Sequence, residues 1–323
     1  MEQTIKNQAL MNENLALEFV SATDAAAIAA ALWIGKGDGK AADQAAVDAM
    51  RFKLNLIDFN GEIVIGEGAK DEAAELYNGE KVGSGNNPLL IDLDIAVDPL
   101  ECTNSVAYGR PNAMSVIATG PRRSLYRAAD SYMDKIAVGP EAAKIIDLDA
   151  PVKDNINNIA VALKKDISEI TVAVLDRPRH ENLIKEIRKT GARVQLFTDG
   201  DVAMAIATCM PESPVDVLMG IGGSTEAVLA AAALRCFGGE ILCRWKPETK
   251  HLPRLKAIGI TDFEKILKTE DLAKKRTSFT ATGVISGPLL EGVVFNKNAI
   301  ITHSVVITTE PKILRFIKTY HYI

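Results

Sequence analysis

Between about residue 155 and residue 237, helix-like and strand-like segments alternate, and this pattern limits the possible folds more than any other feature. The apolar runs at 170–175, 193–197 and 215–219 are each short enough to be one buried strand, and a helix pattern follows each of them. Strands that alternate with helices in this way are typical of βαβ units, in which successive strands pair in parallel. The sequence therefore predicts an α/β fold with an at least partly parallel sheet.

The first half of the chain has a different pattern. Apolar residues spaced three and four apart predict two early helices. The first helix is indicated by the pairs Leu15 and Phe19, and Ile28 and Leu32, and the second by Val47, Met50, Leu54 and Ile57. Consecutive strand-like stretches at 112–119 and 123–126 favour a more antiparallel sheet. Because a turn-rich stretch occupies 147–150, we expect an N-terminal lobe over residues 1–152 and a C-terminal lobe over residues 153–323.

Composition excludes several functional classes. The chain has 323 residues, of which 47% are hydrophobic, and a formal net charge of −5. A weakly acidic chain is poorly suited to nucleic acids or anionic membranes, so we expect neither as a partner. The longest apolar run, 25–34, is far shorter than the ~18 residues of a membrane-spanning helix, and no secretory leader pattern is visible. Since the four cysteines form no C-x-x-C pair, we expect a cytoplasmic protein with reduced thiols.

Acidic side chains repeatedly follow strand-like runs. They are Glu67, Asp98, Glu101, Asp199, Asp201 and Glu226. Ligand sites in α/β sheets lie beyond the carboxyl ends of strands. Carboxylates gathered there repel each other unless they are protonated or a cation lies among them, and ligation by oxygen alone suits Mg²⁺ or Mn²⁺. For any one of these acids the alternative is a solvated loop residue.

Two further patterns indicate anion binding. Arg177 and Arg179 flank Pro178 at the end of a strand-like run, where two guanidinium groups can hold a phosphate, although a basic surface turn has the same sequence. Gly220, Gly222 and Gly223 follow another strand-like run and precede a helix, which resembles a dinucleotide-binding turn with Glu240 as the ribose ligand. That pattern is incomplete, because Thr225 occupies the position of its third glycine.

The segment Asp98-Pro99-Leu100-Glu101-Cys102-Thr103 resembles the D-P-x-[DE]-G-T element of the metal-dependent, lithium-sensitive sugar and inositol phosphatase superfamily. Other motifs, in the same order along the chain, are similar to those of the class II fructose-1,6-bisphosphatase family. They are Gly37-Asp38, Ile65-Gly66-Glu67-Gly68, Asp71-Glu72, Arg177-Pro178-Arg179-His180, Asp199-Gly200-Asp201 and Gly222-Gly223-x-x-Glu226. The resemblance runs from about Ala16 to Ile323. It implies a layered α/β/α/β/α sandwich with two sheet-containing lobes and the active site between them.

The resemblance also implies roles for individual residues. The positions that match metal ligands, for Mn²⁺ or Mg²⁺, are Asp38, Glu67, Asp98, Glu101 and Glu226. Thr103 matches the threonine that helps to place the attacking water, and Asp71 matches a further catalytic acid beside the metals. The positions that match substrate contacts are Glu101, Cys102, Thr103, Tyr132, Arg177, Pro178, Arg179, Asp199, Gly200, Asp201 and Gly223.

The sequence departs from the family pattern at several positions. Cys102 replaces a glycine in the loop that binds metal and phosphate, and its side chain would be strained if that position needs a positive φ. Thr225 and Ala227 replace the proline and glycine that usually flank Glu226. Ala69 stands where the family has an acid, Gly39 replaces a lysine, and the stretch 244–255 is short.

The activity implied by the resemblance is hydrolysis of the 1-phosphate of fructose 1,6-bisphosphate by a homodimer or homotetramer. Two alternatives stay open at this point. One is a dual enzyme that also hydrolyses sedoheptulose 1,7-bisphosphate. The other, motivated by Cys102 and Ala69, is a catalytically weakened relative that senses sugar phosphates.

Overall fold

The computed structural model describes residues 2–68, 75–85 and 89–323. The chain forms two compact units. We call Met1–Arg127 together with Lys274–Ile323 the terminal unit, and Ala128–Ala273 the central unit. These units do not divide at the expected lobe boundary after residue 152, because the last fifty residues of the chain join the N-terminal part.

The elements alternate along the chain as follows. The α-helices are α1 (Glu2–Ala31), α2 (Gly39–Leu54), α3 (Thr103–Tyr108), α4 (Val152–Leu163), α5 (Glu181–Thr190), α6 (Val202–Ala207), α7 (Ser224–Phe237), α8 (Leu252–Ala257) and α9 (Thr269–Leu272). The strands are β1 (Asn60–Ile65), β2 (Lys81–Val82), β3 (Asp92–Glu101), β4 (Ala113–Pro121), β5 (Tyr132–Val138), β6 (Thr171–Leu175), β7 (Arg193–Phe197), β8 (Val217–Gly223), β9 (Glu240–Trp245), β10 (Ile266–Lys268), β11 (Ser278–Ile285), β12 (Val294–Phe295), β13 (Ala299–Thr309) and β14 (Lys312–Tyr322).

The terminal unit contains the larger sheet, in the order β12-β13-β11-β4-β3-β1-β2, with β14 paired to β13. Its pairs are antiparallel except for β1 with β3. The pairing of β4 with β11 brings Thr119 opposite Ser278, and their hydroxyl groups lie 2.6 Å apart. Because β11 is hydrogen-bonded between β4 and β13, the C-terminal strands belong to the same sheet as the N-terminal ones.

The central unit contains the second sheet, in the order β10-β9-β5-β8-β6-β7. Strand β6 pairs in parallel with β7 and with β8, as the alternation of strands and helices predicts. Strands β5, β9 and β10 add antiparallel pairs on the other side. The predicted α/β class with two sheets is therefore confirmed.

The two early helices are confirmed, and the apolar stripe of α2 is buried at Val47, Met50 and Leu54. The strand predicted over 123–126 is wrong. Residues 122 and 123 form a turn, since the buried carboxylate of Asp94 accepts hydrogen bonds from the backbone N–H groups of Ser124 and Leu125 at 2.8 and 3.2 Å. These two hydrogen bonds hold the chain in a turn, so residues 123–126 do not form a continuous strand.

Each unit has its own hydrophobic core. The terminal core is formed mainly by α1, α2 and the strands from β1 to β4, with Phe19 and Phe59 in edge-to-face contact at 5.2 Å. The central core gathers apolar residues of α4, α5 and the strands β5, β6 and β8. Within the described ranges, none of the helices combines the length and the apolar character that crossing a bilayer requires.

Candidate active site

Two acidic residues of the terminal unit lie at the ends of neighbouring parallel strands, Glu67 just after β1 and Asp98 near the end of β3. In the ladder of β1 and β3, Ile65 lies opposite Ala96, and Glu67 and Asp98 each come two residues later. A third acid, Asp43 of α2, hydrogen-bonds the Glu67 carboxyl group. Burial, the negative charges of Asp43 and Asp98, and this hydrogen bond raise the pKa of Glu67 to about 9. The structure therefore brings together two of the predicted ligands and one acid that was not predicted.

The spacing of Asp43 from the apolar residues of α2 could have indicated its role from the sequence. Asp43 precedes Val47, Met50 and Leu54 by 4, 7 and 11 positions, so it lies on the apolar stripe of α2. A carboxylate in an apolar helix stripe needs a partner or a ligand, because burial disfavours its charge.

The predicted metal ligand Asp38 has its described side-chain hydrogen bond within α2 and not with Asp43 or Glu67. It is exposed and caps α2, where its Oδ1 accepts a hydrogen bond from the Ala41 N–H at 3.0 Å. The preceding glycines anchor its loop, since the N–H groups of Gly35 and Gly37 donate to carbonyl groups of α3 at 2.9 Å. Its assignment as a metal ligand stays a prediction. Asp71 and Ala69 lie outside the described residues.

The turn after β3 has a special backbone shape. The Asp98 carboxylate accepts a hydrogen bond from the Leu100 N–H at 3.1 Å, and the ladder with β4 is irregular from Asp98 to the buried Glu101. Cys102 then has φ 71° and ψ 49°, the left-handed conformation that favours glycine. The chain enters α3 at Thr103, whose hydroxyl donates to the Leu100 carbonyl at 3.0 Å.

Cys102 therefore has the positive φ that was the condition for strain at this position. The Cys102 side chain is buried, and the Asn112 Nδ2 group contacts its Sγ at 3.8 Å. The four cysteines, all within the described ranges, form no disulfide.

In the central unit, the predicted substrate residues gather at one edge of the sheet. Strands β6 and β7 run in parallel, so the segments that follow them, 176–180 and 198–201, leave the sheet on the same side. Strand β8 ends there as well, and Glu226 follows in the first turn of α7. Strand β5 runs the other way, so its first residue, Tyr132, lies opposite Gly223.

A buried histidine holds the Arg-Pro-Arg turn in place. His180 Nδ1 donates to the Leu175 carbonyl at 2.8 Å, and its Nε2 accepts from the Ile221 N–H at 2.7 Å. Burial lowers the pKa of His180, which agrees with a neutral ring that accepts at Nε2. A side chain at Gly220, where φ is 129°, would approach Nε2 to 2.9 Å.

Both arginines of this turn are held by further contacts. Arg179 donates to the Ile221 carbonyl at 2.8 Å through Nη2 and lies 5.2 Å from the centre of the Tyr132 ring. Arg177 Nη2 lies 3.4 Å from Asp199 Oδ1. The geometry leaves both guanidinium groups partly exposed at the sheet edge, next to the acidic turn that follows β7.

A buried lysine that the sequence reasoning missed pairs with Asp201. Lys135 Nζ lies 2.7 Å from Asp201 Oδ2, and the two side chains are only 1% and 5% exposed. Burial alone would lower the pKa of Lys135, but the negative charges of Asp201 and then Glu226 outweigh it and raise that pKa. Its signal in the sequence is a lysine inside the apolar strand β5.

The other carboxylate oxygen of Asp201, Oδ1, is buried and accepts no hydrogen bond from the described residues. A buried acceptor without a donor is costly, so this oxygen is available for a ligand hydroxyl. The fit around the carboxylate is close, because a Cβ at Gly222 would lie 2.0 Å from Asp201 Oδ2. Likewise, a Cβ at Gly223 would lie 2.0 Å from the Oε2 of Glu226, which the Thr225 hydroxyl also contacts at 2.8 Å.

The dinucleotide alternative is not supported by this geometry. Gly220, Gly222 and Gly223 lie within β8 itself, paired with β5, and do not form a turn between strand and helix. Glu240 begins β9, and its carboxylate accepts a hydrogen bond from the Thr269 N–H at 2.8 Å.

The donor chemistry of the terminal unit fits a divalent cation. In the described part of the chain, no group of three or more His, Cys, Asp or Glu residues lies close enough together to hold a metal ion. However, Glu67 and Asp43 share a hydrogen bond beside Asp98, an arrangement that requires a proton. A divalent cation would displace that proton and bind the carboxylates, as hard oxygen donors do for Mg²⁺ and Mn²⁺.

Comparison with known proteins identifies the family. The family model described as bacterial fructose-1,6-bisphosphatase, glpX-encoded, matches residues 13–321. The class 2 fructose-1,6-bisphosphatase of Haemophilus influenzae is 44% identical over 97% of both chains. The fructose-1,6-bisphosphatase 1 class 2 of Escherichia coli K12 is 43% identical over 97% of this chain and 96% of its own.

A match of this extent to a phosphatase family leaves no large region of the chain unassigned. The chain belongs to the glpX-encoded bacterial fructose-1,6-bisphosphatase family, as the sequence motifs predicted.

The buried ion pair gives a stability prediction. Lys135→Met should destabilise the protein by about 3–5 kcal/mol, because it leaves the Asp201 carboxylate buried without a cation. Adding Asp201→Asn should restore part of that loss, since the remaining group is neutral. Urea unfolding followed by the fluorescence of Trp245, a buried residue of the central unit, measures both. The surface variant Lys185→Met is the control, and equal stability of Lys135→Met and wild type would contradict the prediction.

The left-handed backbone at Cys102 gives a second prediction about stability. Cys102→Gly should leave the free energy of unfolding within about 1 kcal/mol of wild type, because relief of roughly 1–2 kcal/mol of strain offsets glycine's entropy and the lost thiol packing. Cys102→Val should lose more than ~2 kcal/mol, since a β-branched residue tolerates this φ least. If thermal unfolding shows equal losses for both variants, the contact with Asn112 matters more than backbone strain.

Proposed function

We propose that this protein is a metal-dependent phosphatase that removes the 1-phosphate of fructose 1,6-bisphosphate to give fructose 6-phosphate and phosphate. The observation that carries the proposal is the carboxyl cluster of Asp43, Glu67 and Asp98, in which the pKa of Glu67 is raised to about 9. The family membership supports the substrate, since both relatives described above are named fructose-1,6-bisphosphatases.

Mn²⁺ or Mg²⁺ is the proposed cofactor. We assign its ligands to Glu67, Asp98 and Asp43, together with Glu101 and Glu226 and with Asp38 as a further candidate. When bound, the cation would neutralise charge on the phosphoryl group and help to activate the attacking water.

The residues of the chain itself would position the reactants. The Thr103 hydroxyl donates its proton to the Leu100 carbonyl, so its oxygen can accept a hydrogen bond from water and orient it. A hydroxyl group is a poor base, so a carboxylate must take the proton from that water, and Asp71 is the candidate from the sequence. Orientation of this kind matters because phosphate monoester hydrolysis is extremely slow without catalysis.

The central unit would hold the sugar and its second phosphate. Arg177 and Arg179 are suited to the phosphate that is not cleaved, because partly exposed guanidinium groups bind phosphate bidentately. Asp199 and Asp201 would accept hydrogen bonds from sugar hydroxyls, with Asp201 Oδ1 as the best available acceptor. Pro178 and Gly200 lie in the same two turns, and Tyr132 and Gly223 face each other at the neighbouring ends of β5 and β8. Glu101 and Cys102 complete the proposed contacts.

The expected setting follows from the same reasoning. We propose that the protein acts in the cytoplasm as a homodimer or homotetramer, with a small sugar bisphosphate as its substrate and neither nucleic acid nor membrane as a partner.

Release of inorganic phosphate tests the function and the cofactor together. After exhaustive dialysis against a chelator, hydrolysis of fructose 1,6-bisphosphate should be abolished, and Mn²⁺ or Mg²⁺ should restore it. Glu67→Gln, Asp98→Asn and Asp43→Asn should each lower the rate by at least about 100-fold, since each removes a charged ligand of the cation that would stabilise the transition state. The control is Asp48→Asn on the exposed face of α2, which should have the wild-type rate.

Two results would refute these assignments. Activity that survives chelation would remove the metal from the mechanism, and absence of phosphate release with either cation would refute the phosphatase. Parallel assays with sedoheptulose 1,7-bisphosphate define the substrate range. Calorimetry in buffers of different ionisation enthalpy gives an independent readout, because cation binding should release protons near neutral pH.

Thr103 and the two arginines separate chemistry from binding. Thr103→Ala should lower kcat by orders of magnitude with little change in KM, as expected when an interaction specific to the transition state is lost. Arg177→Ala and Arg179→Ala should mainly raise KM for the bisphosphate. A monophosphate substrate is the control, because it has no distal phosphate and these variants should hydrolyse it almost as wild type does. Equal impairment with both substrates would instead assign the arginines to the reacting phosphate.

A further inference from the structure

Strand β8 has an incomplete edge where the candidate substrate site begins. On one side, β5 pairs with β8 as far as Gly223. On the other side, β6 pairs with β8 at Val217 and Leu218. Within the described part of the chain, no strand continues the pairing beyond Leu218 on that side. The backbone groups that point there need other partners, because a partly buried N–H or C=O group without one is costly.

Two side chains from the turn after β6 take the place of the missing strand at Ile221. The Ile221 N–H group donates to His180 Nε2 at 2.7 Å. The Ile221 carbonyl group accepts from Arg179, at 2.8 Å from Nη2 and 3.3 Å from Nε. Since the N–H and C=O groups of one residue in an extended strand point to the same side, both contacts lie on the edge that β6 leaves open.

His180 can make its contact in only one form of the ring. A backbone N–H group can only donate, so Nε2 must be the acceptor, and the proton of the neutral ring is then on Nδ1. Nδ1 donates to the carbonyl group of Leu175, the last residue of β6, at 2.8 Å. The ring therefore joins the end of β6 to the unpaired part of β8. His180 is only 2% exposed, so little water can reach the ring to replace either hydrogen bond.

The same arrangement gives the Arg179 guanidinium group a fixed direction. Its Nε and Nη2 groups donate to the Ile221 carbonyl, and the group lies 5.2 Å from the centre of the Tyr132 ring. The N–H groups of Nη1 have no acceptor among the described residues, and Nη2 has a second N–H group beside them. Adjacent N–H groups of this kind bind phosphate bidentately.

We propose that His180 is a positioning residue, which fixes the direction of the Arg179 guanidinium group through the peptide groups of Ile221 and thereby sets the affinity for the distal phosphate. The first part is independent of the reaction that the protein catalyses, and the second part rests on the proposed function. His180 does not touch the phosphate itself. It holds the Ile221 N–H group, and without that bond the carbonyl group of the same residue is free to turn away from Arg179.

The glycine at position 220 agrees with this role. Gly220 has φ 129°, and a Cβ there would lie 2.9 Å from His180 Nε2. A side chain at this position would push the imidazole ring away from the Ile221 N–H group. The backbone of β8 is therefore shaped to receive the ring.

Two substitutions at His180 separate its two hydrogen bonds. In His180→Gln, the side-chain oxygen can occupy the position of Nε2 and accept from Ile221, while the bond to Leu175 is lost. In His180→Asn, the side-chain amide can occupy the position of Nδ1 and donate to Leu175, while the bond to Ile221 is lost. Each variant is the matched control of the other, because each keeps one bond of the same ring. If His180 only stabilised the turn, both variants would have similar effects.

The chemical reactivity of the arginines tests the first part without any substrate. Phenylglyoxal modifies guanidinium groups, and peptide mapping by mass spectrometry gives the rate at each arginine. Arg188, which is exposed on α5, is the internal reference. In the wild type and in His180→Gln, Arg179 should react several-fold more slowly than Arg188. In His180→Asn, the two rates should become similar.

Calorimetry with fructose 6-phosphate tests the second part, because this sugar phosphate carries only the phosphate that is not cleaved. His180→Asn should weaken its binding about 10-fold and His180→Gln no more than about 2-fold, as expected for one misplaced hydrogen-bonding partner of a charged group. In assays of phosphate release, the two variants should differ in KM for the bisphosphate and little in kcat. Circular dichroism establishes that both variants are folded.

Three results would overturn the proposal. The first, which needs no variant, is an Arg179 that reacts as fast as Arg188 in the wild type. The second is a pair of folded variants that change reactivity and binding equally, and the third is unchanged binding of fructose 6-phosphate in His180→Asn. If the wild type releases no phosphate from fructose 1,6-bisphosphate while Arg179 follows the expected pattern of reactivity, the phosphatase is refuted and the positioning by His180 is not.

Discussion

In each unit, the candidate site residues depend on a few parallel strand pairs within a sheet that is otherwise antiparallel. Parallel neighbours end at the same edge of a sheet, so β1 and β3 bring Glu67, just after β1, next to Asp98, near the end of β3. In the central unit, β6 and β7 do the same for the arginine turn and the acidic turn. Antiparallel pairing at these points would send the same side chains to opposite ends of the sheet. The direction of the strands therefore determines at which edge of each sheet the candidate site residues lie.

The two units treat buried charge in opposite ways. In the terminal unit, acids approach acids in a buried place, and burial together with their repulsion raises the pKa of Glu67 to about 9. In the central unit, Asp201 has a lysine 2.7 Å away that compensates one of its oxygens, while the other oxygen has no donor among the described residues. The first arrangement is suited to a cation, and the second to a neutral hydroxyl group. A substrate with both a phosphoryl group and sugar hydroxyls requires both kinds of environment.

Local patterns in the sequence predicted much of this arrangement. The helices α1, α2 and α4 to α7, the strands β1, β3, β4 and β6 to β8, and the acids at the ends of β1 and β3 follow from periodicity and turn residues, which act within a few positions. Family motifs added the roles of the arginine turn and Thr103. The strand expected at 123–126 failed because Asp94, about thirty residues earlier, binds that backbone.

Other features escaped because they depend on contacts between distant segments. Asp43 and Lys135 are significant only through what they touch, and each resembles an ordinary charged residue until its helix or strand is placed. The composition of the units was equally hidden, since the partner of β4 lies far along the chain at β11.

The pairing of β4 with β11 also has a consequence for how the protein is made. Thr119 and Ser278 are 159 residues apart in sequence. A ribosome adding about 5–20 residues per second therefore needs roughly 8–30 s to synthesise the partner of β4 after β4 itself. The whole central unit emerges during that interval. The nascent chain must meanwhile carry an incomplete sheet with β4 as its open edge, a state in which chaperone binding or premature strand pairing competes with folding.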